Sequence, residues 1–353
     1  MAGDSVECFL TPPSHGRLNI SDLKAAVADS FFALPPAFQT MMDESCALLH
    51  DSEEVTQQAY QVVVSLEAVL GPLRQGDAQQ RWQALADLED IGQRGGDAVL
   101  VALAGCLHDR DWKNRMAAIE AIPHVATQGD QLALKTVIDG CSDREPRVRN
   151  SAVLTLPDIA EPGDAQALTA LRGLLMDTEE EVRISAVLAT VGITESGDAQ
   201  TLEALLKCLE DRAWRVRIAA VEAISQIVVR ADERVAFALS QHIERDKWWL
   251  VRIALIRVLP HIAGRGNQCA INAILGRLLD IDWSVRMAAI EVIPLMTERG
   301  DGVVIQSLVL CLIDDVRPVR MTAARALRKM FATSLFDTLV HVRRAVGWCA
   351  CGC

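Results

Sequence analysis

The chain has 353 residues, half of them apolar and 23% charged, with a net charge of −12. That length and apolar share support a folded core and exclude general disorder, and an Ala- and Leu-rich composition with 4% aromatics leans helical. The charge is uneven, −8 in residues 1–80 and −4 in the rest, so neither part carries the basic footprint of a protein that wraps nucleic acid.

The first residues, MAGDSVECFLTPPSHG, lack a basic stretch followed by an apolar one, and no secretory signal is read there. Residues 1–35 read as an acidic, partly disordered segment. Residues 36–80 read as a degenerate helical cap, in which Asp51, Val55 and Gly76-Asp77 echo a motif that becomes regular further on. No apolar run reaches the roughly 18 residues that cross a bilayer. Val303–Ile313 comes nearest and is interrupted by Gln306 and Ser307. Ten cysteines are scattered without a pairing pattern. Six of them, Cys46, Cys106, Cys141, Cys208, Cys269 and Cys311, stand singly in helical segments and read as buried thiols of a reducing compartment. The expected location is the cytoplasm, with the nucleus left open.

Residues 81–331 repeat themselves. DRDWKNRMAAIEAI at Asp109–Ile122 returns as DRAWRVRIAAVEAI at Asp211–Ile224 and as DIDWSVRMAAIEVI at Asp280–Ile293. An arginine column runs through Arg81, Arg115, Arg149, Arg183, Arg217, Arg252, Arg286 and Arg320, at intervals of 34 with a single 35 between Arg217 and Arg252. Six residues before seven of these stands an aspartate: Asp109, Asp143, Asp177, Asp211, Asp246, Asp280 and Asp314. A third column is Gly-Asp or a relative of it, from Gly96-Asp97 through Ala231-Asp232 to Gly300-Asp301. A period of this size is the signature of a repeat architecture.

Each column has a physical reason. Gly takes the left-handed position after one helix, and Asp caps the next. About eleven residues of apolar helix follow, then a turn holding the repeated aspartate, then a second helix opening near Trp214 or its equivalents. Pro146 once occupies that first helical position. The third residue after the arginine is almost always Ala, with Leu255 the exception, and the fourth, seventh and tenth are mostly aliphatic. This is a wide apolar face at helical spacing. One hairpin cannot bury such a face alone; stacked hairpins can. The fold class is therefore all-α, an α-solenoid or armadillo/HEAT-like superhelix of stacked helix hairpins.

The pattern D-x4-V-R-x-x-A, as in Asp211, Val216, Arg217 and Ala220, resembles the HEAT repeat, and the 34-residue unit is most similar to the short HEAT-like repeats named after phycobilisome lyases. The resemblance covers residues 81–331. It implies that the Asp and Arg columns form a hydrogen-bonded ladder between neighbouring turns, with a structural role for Asp109, Arg115, Asp143, Arg149, Asp177, Arg183, Asp211, Arg217, Asp246, Arg252, Asp280, Arg286, Asp314 and Arg320. It also implies that the second helices line a concave face.

That face should carry the second, fifth and ninth residues after each arginine. The fifth and ninth give Glu120 and His124, Leu154 and Asp158, Leu188 and Gly192, Glu222 and Gln226, Arg257 and His261, Glu291 and Leu295, and Arg325 and Lys329. Charge changes sign along this line, and Leu154 and Leu188 interrupt it with apolar side chains. Such a surface suits a docked peptide or partner helix, whereas tight curvature would simply bury both leucines. Trp112, Trp214, Trp249 and Trp283 recur three residues after the aspartate, with Trp248 beside them. They form either a recognition stripe or packing over the turns.

Catalytic signatures are not read in the sequence. His124 and His261 with Glu120 give only isolated pairs, short of a metal set. None of the seven histidines is followed by Glu, unlike the repeated His-Glu pairs of deoxyhypusine hydroxylase, which is built from HEAT-like repeats. HEAT-like DNA glycosylases use a strongly basic groove, and this one is mixed. No Gly-rich phosphate loop, Ser-His-Asp grouping or zinc motif is visible. Residues 332–353 read as a half-repeat, Ser334–Val346, followed by the tail WCACGC. The expected function is a non-catalytic scaffold that binds other proteins or peptides, without cofactor, metal, nucleic acid or small-molecule ligand. The alternative is a lyase-like chromophore-binding protein or an enzyme-regulatory subunit of the phosphatase-scaffold kind.

Overall fold

A computed structural model describes residues 5–9, 39–42, 59–64, 71–72, 77, 79–80, 83–84, 96–229 and 231–331. They fall into two compact units, Met1–Glu161 and Pro162–Cys353.

The first unit opens with an antiparallel sheet of β1 (Ser5–Phe9), β2 (Gln39–Met42) and β3 (Ala59–Val64), in the order β1-β3-β2. Ser5 pairs with Val63 and Cys8 with Tyr60, while Gln39 pairs with Val64 on the other side. These strands lie where the sequence reading places an acidic segment and a helical cap. Val62-Val63-Val64 explains the difference, because consecutive β-branched side chains lose rotamer freedom in a helix and fit a pleated ladder. Asp51, Val55 and Gly76 of the expected cap, Arg81, and the half-repeat with its cysteine tail lie outside the described residues.

Four helices follow: α1 (Gly96–Cys106), α2 (Trp112–Val125), α3 (Gln131–Gly140) and α4 (Pro146–Ile159). The second unit holds α5 (Ala165–Leu174), α6 (Glu180–Ile193), α7 (Ala199–Cys208), α8 (Trp214–Ile227), α9 (Glu233–Arg245), α10 (Trp249–Ala263), α11 (Gln268–Gly276), α12 (Trp283–Met296), α13 (Gly302–Leu310) and α14 (Arg317–Met330). Short 3-10 turns follow α11 and α13. The repeat region is thus all-helical, with odd-numbered first helices and even-numbered second helices.

The start of each first helix from α3 onward is fixed chemically. Asp130, Asp164, Asp198, Asp232 and Asp301 accept the backbone N–H groups two and three residues on, and Asn267 accepts from Ala270. Just before these caps the chain takes a left-handed residue, as at Gly129 (φ 86°) and Gly197 (φ 87°). Its N–H then reaches the next repeat. Gly129 N–H donates to the Ile159 carbonyl, Gly197 to Ile227, Ala231 to Ile262, Gly266 to Met296 and Gly300 to Met330, all at 2.8–3.1 Å. A Cβ at Gly129 would lie 2.8 Å from Glu161 Oε1, so that position needs glycine for space as well as for φ.

The core is the apolar column of the second helices. Ala118, Ile119 and Ile122, then Ala220, Val221 and Ile224, then Ala289, Ile290 and Ile293 are all fully buried. The alanine column admits close approach, and Gly140 of α3 does the same, since a Cβ there would stand 2.6 Å from Ile119 Cδ1. Leu255, where the column loses its alanine, is also fully buried. The one 35-residue interval is absorbed in α9, which has 13 residues where α7 and α5 have 10.

Candidate partner-binding face

The arginine column builds one edge of the stack. In the first unit, Arg115 Nε and Nη2 donate to the two Asp143 carboxylate oxygens at 2.6 and 2.7 Å, while Nη1 donates to the Asp109 carbonyl at 3.0 Å. The second unit repeats the arrangement. Arg183 forks onto Asp211, Arg217 onto Asp246, Arg252 onto Asp280 and Arg286 onto Asp314, with Nε and Nη2 distances of 2.6–2.9 Å. Arg149 and Arg320 donate Nη1 to the carbonyls of Asp143 and Asp314. Arg115, Arg183, Arg217, Arg252 and Arg286 therefore each hold their own turn through a carbonyl and the next through a bidentate carboxylate. The same carboxylates also tie down the residue just before the following helix: Asp211 Oδ1 accepts the Ala213 N–H and Asp246 Oδ1 the Trp248 N–H. Asp177 accepts the Glu179 N–H, and Asp109 accepts from Asp111 N–H and the Asn114 amide.

Burial raises the Asp143 pKa, but the Arg115 bond and the Glu145 N–H outweigh it and hold the carboxyl below the ordinary range. The Arg286 bond holds Asp314 low in the same way.

With their buried columns facing inward, the second helices expose the fifth and ninth positions after each arginine. In the first unit Glu120, His124, Leu154 and Asp158 are exposed, Leu154 to 55%. Glu120 Oε1 also accepts the Ser151 hydroxyl at 3.2 Å, which ties it to the next helix. In the second unit Leu188, Gly192, Glu222, Gln226, Arg257, His261, Glu291, Leu295, Arg325 and Lys329 are exposed, Leu188 to 50%. Curvature does not bury the two leucines. The second position after the arginine departs from the expected surface, since Ala117, Ser151, Ala219, Ala288 and Thr322 are buried. That residue lies within a turn of the close-packed alanine and shares its shielding.

The tryptophans divide. Trp214 is half-buried and stacks on Trp248, with ring centroids 5.7 Å apart. The register partner Trp249 is 39% exposed and Trp283 45%. In the first unit Trp112 receives the Arg147 guanidinium 4.9 Å from its ring centre. The aromatic column is thus part packing and part exposed surface. Cys106, Cys141, Cys208 and Cys311 are buried, and burial pushes the Cys141 thiol up to about 12 and the Cys208 and Cys311 thiols to about 11. Cys269 is exposed instead, because it precedes the buried Ala270 by one residue. Cys46 lies outside the described residues.

An open polar cavity of about 490 Å³ lies at the loops before α5 and α7, lined by Arg172, Glu195 and Asp198 among others. Asp198 is committed there to capping α7. Among the described residues, no group of three or more His, Cys, Asp or Glu could hold a metal ion, and no helix is long and apolar enough to cross a membrane.

The family model for HEAT repeats matches residues 99–191, 173–260 and 238–328. No curated protein matches the chain by sequence. Among solved structures, importin beta matches with a TM-score of 0.57 at 14% identity, over 79% of this chain and 42% of that one. YibA of Escherichia coli matches with a TM-score of 0.48 at 16% identity, over 76% and 92% of the two chains. A designed armadillo repeat protein in complex with the peptide (KR)4 matches with a TM-score of 0.39 at 22% identity, over 65% and 99%. Of these three, importin beta carries weight, and at that identity the likeness shows the fold alone.

Proposed function

The chain belongs to the HEAT-repeat family, and from that premise we propose that it is a non-catalytic scaffold that binds other proteins along the exposed side of its second helices. The observation that carries this reading is the charge order in the second unit. Glu222, Arg257, Glu291 and Arg325 stand at one helical position on four successive second helices, all exposed. Leu188 supplies an apolar foothold on the helix before them. Packed helices lie roughly 10 Å apart, so an extended or helical partner segment with alternating charges would meet each of them in turn. Peptide or protein ligands are the class proposed here. The short repeat similar to that of phycobilisome lyases is taken as a variant of the same stacking unit, without their chemistry.

The test is affinity capture from native lysate with the intact protein, beside Leu188→Glu and the double variant Glu222→Arg/Arg257→Glu. Circular dichroism checks that the variants stay helical. Specific proteins recovered by the wild type and lost from the folded variants support the reading. Recovery of the same proteins by all baits moves the site elsewhere, and recovery of none speaks against a scaffold.

A further inference from the structure

The residues on either side of the ladder aspartate change character along the chain. They are His108 and Arg110, Ser142 and Arg144, Met176 and Thr178, Glu210 and Arg212, and then Arg245 and Lys247. In the last two turns of the second unit they become Leu279 and Ile281, and Ile313. Among the earlier described turns only Met176, beside Asp177, is apolar at these positions, and it is 79% exposed, so the turn packs without such groups and stacking does not require them here. Nor are they covered. Leu279 is 86% exposed, Ile281 94% and Ile313 79%; Trp283 on the first of these turns is 45% exposed, and Trp248 and Trp249 on the turn before are 48% and 39%. The Arg252–Asp280 and Arg286–Asp314 bonds hold these turns side by side.

We propose that this edge, from Trp248 to Ile313, is the interface through which a second copy of the chain binds across a two-fold axis. Two features single out a second copy. The first is area. The six side chains together expose on the order of 700 Å², above the few hundred Å² usual for a monomer's largest apolar patch and near the ~800 Å² per partner of a stable complex. The second is self-complementarity. A two-fold axis through the middle turn, Leu279–Trp283, sets the first turn of one copy against the third turn of the other. Exposed Lys247 then faces exposed Asp315, whose carboxylate also holds Arg286 at 3.0 Å, while the aliphatic tips of one copy meet the indoles of the other.

Sedimentation velocity of the full chain in reducing buffer, up to about 100 µM, tests this. The wild type is expected to run at twice the monomer mass, and Leu279→Asp/Ile281→Asp at monomer mass with unchanged circular dichroism. Lys247→Glu and Asp315→Lys should each weaken the dimer at least ~10-fold, and the two together should restore it. A monomeric wild type overturns the proposal, whether or not anionic or neutral vesicles pellet it through Leu279 and Ile281. So does a dimer that survives the double Asp variant, or a charge swap that fails to restore association.

Discussion

Ala231 occupies the left-handed position that glycine fills in the neighbouring repeats, at φ 67°, and its N–H still donates to the Ile262 carbonyl at 2.9 Å. A side chain there costs roughly 1–2 kcal/mol, part of which glycine would return as unfolded-chain entropy. Ala231→Gly is therefore expected to raise stability by about 0.5–1 kcal/mol, read as a higher urea midpoint. Gly197→Ala should lower it by at least as much, since a Cβ there also meets Val229 Cγ2 at 3.3 Å. The ladder carboxylates set the acid limit. Asp143 and Asp314 have folded pKa values below the ordinary range, so their contribution is complete above the unfolded value of about 3.9. It is lost as pH falls from there through the folded values. Thermal stability should drop below about pH 4, and Asp314→Asn should lower stability at pH 7 and flatten that acid limb.

The same side chains act between elements. Arg217→Ala would leave Asp246 largely buried without its bidentate donor, at a cost of about 3–5 kcal/mol, and lysine at that position should recover little because a point charge cannot fork. Urea unfolding measures both, and amide exchange should quicken first at the boundary of α8 with α9 and α10. Much of this level was legible in the sequence, because a packing surface that must recur every 34 residues leaves three columns in one register. The 35-residue interval announced an irregularity, but only the structure places it in α9. The glycine column read as a helix stop. Its second use, an N–H reaching the neighbouring repeat's last carbonyl, has no sequence marker, since any residue offers an N–H.

For the whole molecule, stacking repeats give stability as a sum of neighbour contacts and leave one side of every second helix exposed. The fifth and ninth positions of that side could be read from helical spacing alone. The burial of the second position could not, because it depends on how closely neighbouring helices approach over the alanine column. The apolar turn edge was half legible. Trp249 and Trp283 stood out as repeats of one position, whereas Leu279, Ile281 and Ile313 matter because they depart from the repeat. The amino-terminal sheet was missed because the period found further on was extended backward over a β-branched run. The measurement that tests the account most directly is hydrogen–deuterium exchange of the intact chain with and without the partner recovered by capture. Protection concentrated on α6, α8, α10 and α12 of the second unit, around Leu188, Glu222, Arg257 and Glu291, is the predicted result. Protection confined to the first helices, with the second helices unchanged, would contradict it.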